Sequence, residues 1–333
     1  MGQDLLQALT ILGALMPFVV ILAMANLSLR MPGLRWLAYG MVFVLSGGFL
    51  LMGAGGLAAT QVKWAPGYML GPGLEVTPNW LSLGIWGMIT GVGALLALTR
   101  PVRALAGRML PAFDPDNPLH AISLSFAAFL VGLTAIQLAL LGDLEHLADR
   151  DIRLGFAEIW AQGIGLTLVG LVGVGLWTRR NLREVAQRLG VTKVTGKVLL
   201  VSAVSIAAFM GLDLAWTGAW ERLDPQGLDV VSRVSKMLFG DLINLPGALS
   251  IGITAAISEE IIYRGALQPR FGLMLTAALF AVSHVQYGLS PAAVEVFIIG
   301  LALGVIRRRY GLTACMLIHF GYNTLNLLLL PPR

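Results

Sequence analysis

Three short clusters in the last third of the chain combine residue types that can hydrolyse a bond without a cofactor. They are Ser258-Glu259-Glu260-Ile261-Ile262-Tyr263-Arg264, Phe280-Ala281-Val282-Ser283-His284 and His319-Phe320-Gly321-Tyr322-Asn323. A carboxylate can deprotonate water, an imidazole can orient that water or protonate a leaving amine, and polar donors can stabilise an oxyanion. Adjacent residues on a helix point about 100° apart, so Glu259 and Glu260 are expected to have separate tasks. Arg264 follows Glu260 by four positions, the spacing of an intrahelical ion pair, which leaves Glu259 to face elsewhere. His319 and Asn323 are also four apart and project from one face. Phe280 precedes His284 by one turn and would wall the same site.

The elements that must position these residues are membrane helices. Of 333 residues, 57% are hydrophobic and only 12% charged, with a mean hydropathy of +0.79. A soluble domain carries about 25% charged residues, so that class is excluded. Apolar runs long enough to span, about 20 residues each, recur throughout. About ten spans are expected, near 5–29, 36–59, 79–99, 119–141, 155–177, 198–219, 246–263, 272–288, 291–306 and 312–330. The eighth and ninth are short and joined by a tight turn at Gly288 to Pro291. Ionisable groups inside hydrocarbon are costly and mark function by default. If the eighth span enters near Phe271, His284 lies about 20 Å deep; counted from Gly311, His319 lies about 12 Å in and Asn323 about 18 Å. Those depths are compatible with one polar cavity.

Basic residues sort by loop. Fifteen Lys and Arg fall in the odd-to-even loops and seven on the other side, so the positive-inside rule puts the richer side in the cytoplasm and both termini outside. The first seven residues contain Asp4 and no Lys or Arg, so the first apolar run is expected to be retained as a span. Arg179 to Lys197 reads as a basic amphipathic segment along the cytoplasmic face, and Glu221 to Asn244 as an outer amphipathic helix or an ordinary loop helix. The Gly300-x-x-x-Gly304 pair is a candidate for close helix approach. The expected organisation is an N-terminal transmembrane region over 1–178, the basic segment 179–197, and a core over 198–333.

Glu259-Glu260-x-x-x-Arg264, then Phe280-x-x-x-His284, then His319-x-x-x-Asn323 resemble the three ordered motifs of the CAAX-protease and bacteriocin-processing family, typified by the Ras-converting enzymes. The resemblance covers roughly 245–330, with Gly265, Gly300, Gly304 and the Arg307–Gly311 turn as supporting context. It implies an all-α polytopic membrane protein whose C-terminal four- to five-helix bundle is a glutamate-dependent intramembrane endopeptidase. It further implies Glu259 as the base that activates water together with His284, His319 and Asn323 as the oxyanion site, and Glu260 with Arg264 as support. No cofactor or metal is required. The expected partners are the bilayer and a membrane-associated protein or peptide substrate, with no nucleic acid. The expected location is the cell membrane, the inner one in a prokaryote, with a site open to the cytoplasm.

Other readings stay open at this stage. The same pocket suits zinc, with His284, His319 and a glutamate as ligands. A non-catalytic scaffold, immunity factor or transporter would also keep polar residues in the membrane. Cys315, the single cysteine, stands one turn before His319; a Cys–His nucleophile pair is conceivable, but a lone buried cysteine usually packs as a small hydrophobe. Glu295 reads as a cavity residue or a satisfied packing group, Asp213 as a residue near the outer interface, and His120 and His146 as interfacial and loop residues. There is no H-E-x-x-H zinc motif, no G-x-S-x-G element and no pair of Asp-bearing spans.

Overall fold

The computed structural model describes residues 2–62, 68–71, 74–76, 78–110, 112–141 and 153–331; His146 lies outside them. Apart from a small antiparallel hairpin, Tyr68–Gly71 with Leu74–Val76, its elements are helical. In chain order these are α1 (Gly2–Leu27), α2 (Leu34–Ala59), α3 (Trp80–Leu96), α4 (Arg100–Met109), α5 (Pro118–Leu141), α6 (Phe156–Gly173) and α7 (Leu182–Leu189). After them come α8 (Gly196–Leu223), α9 (Pro225–Phe239), α10 (Leu245–Glu259), a π-helical segment (Glu260–Leu267), α11 (Gln268–Val282), α12 (Pro291–Tyr310) and α13 (Leu312–Leu329).

The chain is thus an all-α polytopic membrane protein, though among the described residues fewer than ten separate helical runs are both long and apolar enough to cross a bilayer. Seven described helical runs are long and apolar enough to cross a bilayer, or eight if α3 and α4, bent by 83°, count as one. Three physical features account for the difference. α3 has only 17 residues. α12 carries Glu295 and Arg307 to Arg309, which leave only a short uncharged stretch between them. The two expected spans between 246 and 288 join in one helical run, Leu245–Val282.

That run is nevertheless folded back on itself. Gly272 has φ 75° and ψ 178°, a conformation essentially confined to glycine, and breaks the helix direction. The side chains of Arg264 and Phe280, eight positions either side of Gly272, are in contact, with the guanidinium carbon 4.0 Å from the ring centroid. A straight helix would hold them about 24 Å apart. A π-turn and a glycine reversal therefore lie between the first two chemical clusters.

The basic loops gather at one face. Arg30 donates to the Thr178 carbonyl at 3.5 Å, Arg188 to Gly265 at 3.2 Å, and Arg307 to Leu189. Phe113 stacks on Phe271, with ring centroids 6.3 Å apart. The basic segment after α6 includes α7, capped by Asn181 and Glu184 at its start and by left-handed Gly190 at its end. α4, a short amphipathic helix bearing Arg100, Arg103 and Arg108, was not expected; only ten residues long and basic, it has no span signature. At the opposite face Trp216 donates to the Pro291 carbonyl at 3.1 Å, and Arg153 pairs with Asp241 at 3.0 Å. There the stretch after α8 forms α9, with Val231 and Val234 buried.

Packing divides into linked clusters. Ile21, Val42, Ala94, Phe129 and Val172 join α1, α2, α3, α5 and α6. Phe209, Ile299, Leu303, Cys315 and Ile318 join α8, α12 and α13. The N-terminal helices also wall the C-terminal ones. Leu124, Ala127 and Leu130 of α5 pack on the cluster of Tyr263, Phe271 and Phe280. Gly170 of α6 lies so close to Ile261 that a Cβ there would meet its Cγ2 at 2.5 Å.

Candidate active site

α10 carries the first cluster into the centre of the C-terminal bundle, where the helix widens. The π-helical segment begins at Glu260, and such widened turns recur at functional sites. Glu260 is 0% exposed and Arg264 1%, so neither charge has water to fall back on. They pair with each other: Arg264 Nη1 donates to Glu260 Oε1 at 2.9 Å. The guanidinium face rests on Phe280, and Nη2 reaches the Gly300 carbonyl at 3.4 Å. A buried charge pair needs such additional contacts to offset its desolvation.

The same carboxylate oxygen of Glu260 takes a second donor. His319 Nδ1 lies 2.8 Å from Glu260 Oε1, and the ring is 6% exposed. A carboxylate only accepts, so Nδ1 carries the proton and Nε2 is turned the other way. Nε2 faces Glu259 Oε2 at 3.8 Å. The two adjacent glutamates thus flank one imidazole, where helix geometry alone assigns them to separate directions. Glu259 is the more open, its side chain 24% exposed, and its Oε2 has no hydrogen-bond partner among the described residues.

His284 closes α11. Its Nδ1 lies 2.8 Å from the Phe280 carbonyl, which accepts only, so Nδ1 is again the donor, and in the neutral ring Nε2 is an acceptor. Its ring stands edge-on to Phe280 at 4.8 Å and parallel to Tyr287 at 6.0 Å. Phe280 in turn approaches His319 at 6.1 Å and Tyr263 at 5.2 Å. The phenyl ring thus neighbours both histidines. Asn323 is half-buried one turn beyond His319, and no hydrogen bond among the described residues links it to the glutamates or histidines.

Of the residues singled out in the sequence, Glu259, Glu260, Arg264, Phe280 and His319 are therefore linked by successive contacts. His284 joins them through Phe280, and Asn323 shares the face of α13. The Glu260–His319 bond was not anticipated, nor was Gln268, which donates to the Gly304 carbonyl at 2.8 Å. A signal for the second existed: Arg264 and Gln268, four apart, meet the carbonyls of Gly300 and Gly304, also four apart. The glycines permit this approach, since a Cβ on Gly300 would lie 3.2 Å from Phe280 Cδ1 and one on Gly304 2.3 Å from Leu273 Cδ1.

Among the described residues no three His, Cys, Asp or Glu side chains gather closely enough to hold a metal ion, so the geometry lends the zinc reading no support. Cys315 is buried and its Sγ donates to the Leu303 carbonyl at 3.3 Å. Glu295 is buried, and its Oε1 lacks a partner among the described residues. Ser258 donates to the Thr254 carbonyl at 2.7 Å within its own helix.

No curated protein and no solved structure matches the chain. Residues 241–325 match the family model described as Rce1-like, type II CAAX prenyl endopeptidase Rce1-like. All seven positions from Glu259 to Asn323 lie inside the matched segment, and α1 to α9 lie outside it. A match to this family model supports a hydrolase acting on a peptide or protein in a membrane setting. Residues 241–325, about a quarter of the chain, are thus similar to the CAAX protease family.

Proposed function

We propose that the protein is an intramembrane endopeptidase in which Glu259 activates a water molecule for attack on a peptide bond of a membrane-associated substrate. The observation that carries this reading is the position of His319, held at Nδ1 by Glu260 and presenting Nε2 to Glu259 at 3.8 Å. Glu259 takes a proton from the water as its oxygen bonds to the carbonyl carbon. The negative charge that develops on the carbonyl oxygen is met by donors on α13, the Asn323 amide and His319 Nε2 when that nitrogen also carries a proton. The C–N bond then breaks, and the proton held by Glu259 passes to the leaving amine. His284 Nε2, with its lone pair free, orients the water by accepting its second O–H.

Glu260 and Arg264 hold His319 rather than touch substrate. In this reading the arginine-rich face is cytoplasmic, and the substrate reaches the site from that side. No residue of the site selects a prenyl group over another membrane anchor, so both belong in the test. Purified protein in liposomes is offered lipid-anchored peptides, prenylated and acylated, and products are read by mass spectrometry. Cleavage by the natural sequence and none by a folded Glu259→Ala variant is expected; undiminished cleavage by that variant would refute the proposal.

A further inference from the structure

Beneath the site, at the arginine-rich face, is a cavity of about 390 Å³. Arg264 and Gln268 form its inner wall, and Arg270, Arg307 and Arg308 surround it. No acidic residue lines it among those described, and none of Arg270, Arg307 and Arg308 has a carboxylate partner among them. Arg307 donates to the Leu189 carbonyl, yet its Nε is buried without a partner. Further arginines crowd the approach. Burial, with the charges of Arg270, Arg180, Arg179 and Arg307, lowers Arg188 from its ordinary value to about 10. Burial and three neighbouring arginines lower Arg179 similarly, to about 10. Cations held this close need a counter-charge.

Retention of this face on the cytoplasmic side needs only exposed Lys and Arg, such as Arg183 and Lys193. It does not need four arginines lining one half-open cavity. Guanidinium forks match the tetrahedral oxygens of phosphate in paired hydrogen bonds. Basic pockets between membrane helices at headgroup level take phosphorylated headgroups. We propose that this cavity binds a phosphate group, carried by an anionic lipid headgroup or by a soluble phosphate ester. Arg264 is shared between the cavity and Glu260, so the bound anion sits one side chain from the hydrolytic set. The inference is independent of the protease reading.

The test uses thermal unfolding of the full-length protein in neutral detergent. Phosphatidylglycerol, phosphatidylcholine, inorganic phosphate and acetate are added separately. Phosphatidylglycerol is expected to raise the midpoint by about 3 °C or more, phosphatidylcholine and acetate not. A shift with inorganic phosphate as well identifies a soluble ester as sufficient; a shift with phosphatidylglycerol alone identifies the lipid. The double variant Arg270→Gln with Arg308→Gln should lose the shift. Arg183→Gln with Lys193→Gln, which removes equal charge outside the cavity, should keep it. Should the first variant fold poorly, Arg270→Lys with Arg308→Lys retains the charge but loses the forks, and should show a smaller shift. Equal shifts with both lipids, a shift with acetate alone, equal loss in both glutamine variants, or a full shift in the lysine variant would overturn the proposal.

Discussion

Glu260 and His319 are 59 positions apart in sequence and meet through a 2.8 Å hydrogen bond deep in the bundle. That bond makes Glu260 more than a partner for Arg264, because one carboxylate oxygen fixes both a guanidinium and an imidazole. The imidazole so fixed is the one that faces Glu259.

Replacing Glu259 separates chemistry from structure. Its carboxylate is partly exposed and has no hydrogen-bond partner among the described residues, so Glu259→Gln should fold with little loss. A general base contributes about 10²–10⁴ in rate, and cleavage should fall by that factor. Initial rates on a lipid-anchored peptide, beside the unfolding midpoint of the same preparation, test both halves.

The buried pair should behave in the opposite way. Arg264→Met leaves Glu260 charged and enclosed, which should destabilise by about 3–5 kcal/mol. Adding Glu260→Met removes the stranded charge and should restore a large part of that stability. It cannot restore the hold on His319, so activity should stay low in the double variant. Denaturation curves and cleavage rates on the single and double variants decide the matter; recovery of activity along with stability would show that Glu260 serves only as Arg264's counter-ion.

Gly272 offers a test of the reversal. Open space surrounds a Cβ there, so Gly272→Ala should cost about 1–3 kcal/mol through backbone conformation alone. Gly211→Ala, also into open space but within the regular helix α8, should instead stabilise by up to about 1 kcal/mol. Opposite signs in the two unfolding midpoints are the expected result.

Cys315→Ala should leave cleavage undiminished. The thiol is enclosed and donates to the Leu303 carbonyl, joining α13 to α12, so its loss should appear as about 1 kcal/mol of stability. Abolished activity in a variant of normal stability would revive the cysteine nucleophile.

Much of this arrangement was legible in the sequence, for identifiable reasons. Hydropathy marks long helices because lipid demands apolar surface all round, and helical spacing pairs Glu260 with Arg264 without reference to any other element. α4 escaped notice because ten amphipathic residues carry no span signature, whereas α12 answers to the expected run 291–306 and continues through the arginines that were read as a loop. The Glu260–His319 bond was out of reach for a different reason. Periodicity says which residues share a face, not which helix that face meets, and the π-turn alters the face as well. Gly300 and Gly304 were visible as a close-approach pattern, but their use as carbonyl acceptors for Arg264 and Gln268 depends on the chain folding back at Gly272.

The reversal at Gly272 also acts as a depth gauge. Arg264 and Phe280 each lie eight positions from it, so their contact is held about 12 Å below the arginine-rich face, within the nearer leaflet of a hydrocarbon layer about 30 Å thick. An extended peptide advances about 3.3 Å per residue, so about four residues bridge that distance. In the proposed protease reading, a substrate held at that face would need to thread only a short, unfolded end inward, with no helix unwound across the whole bilayer.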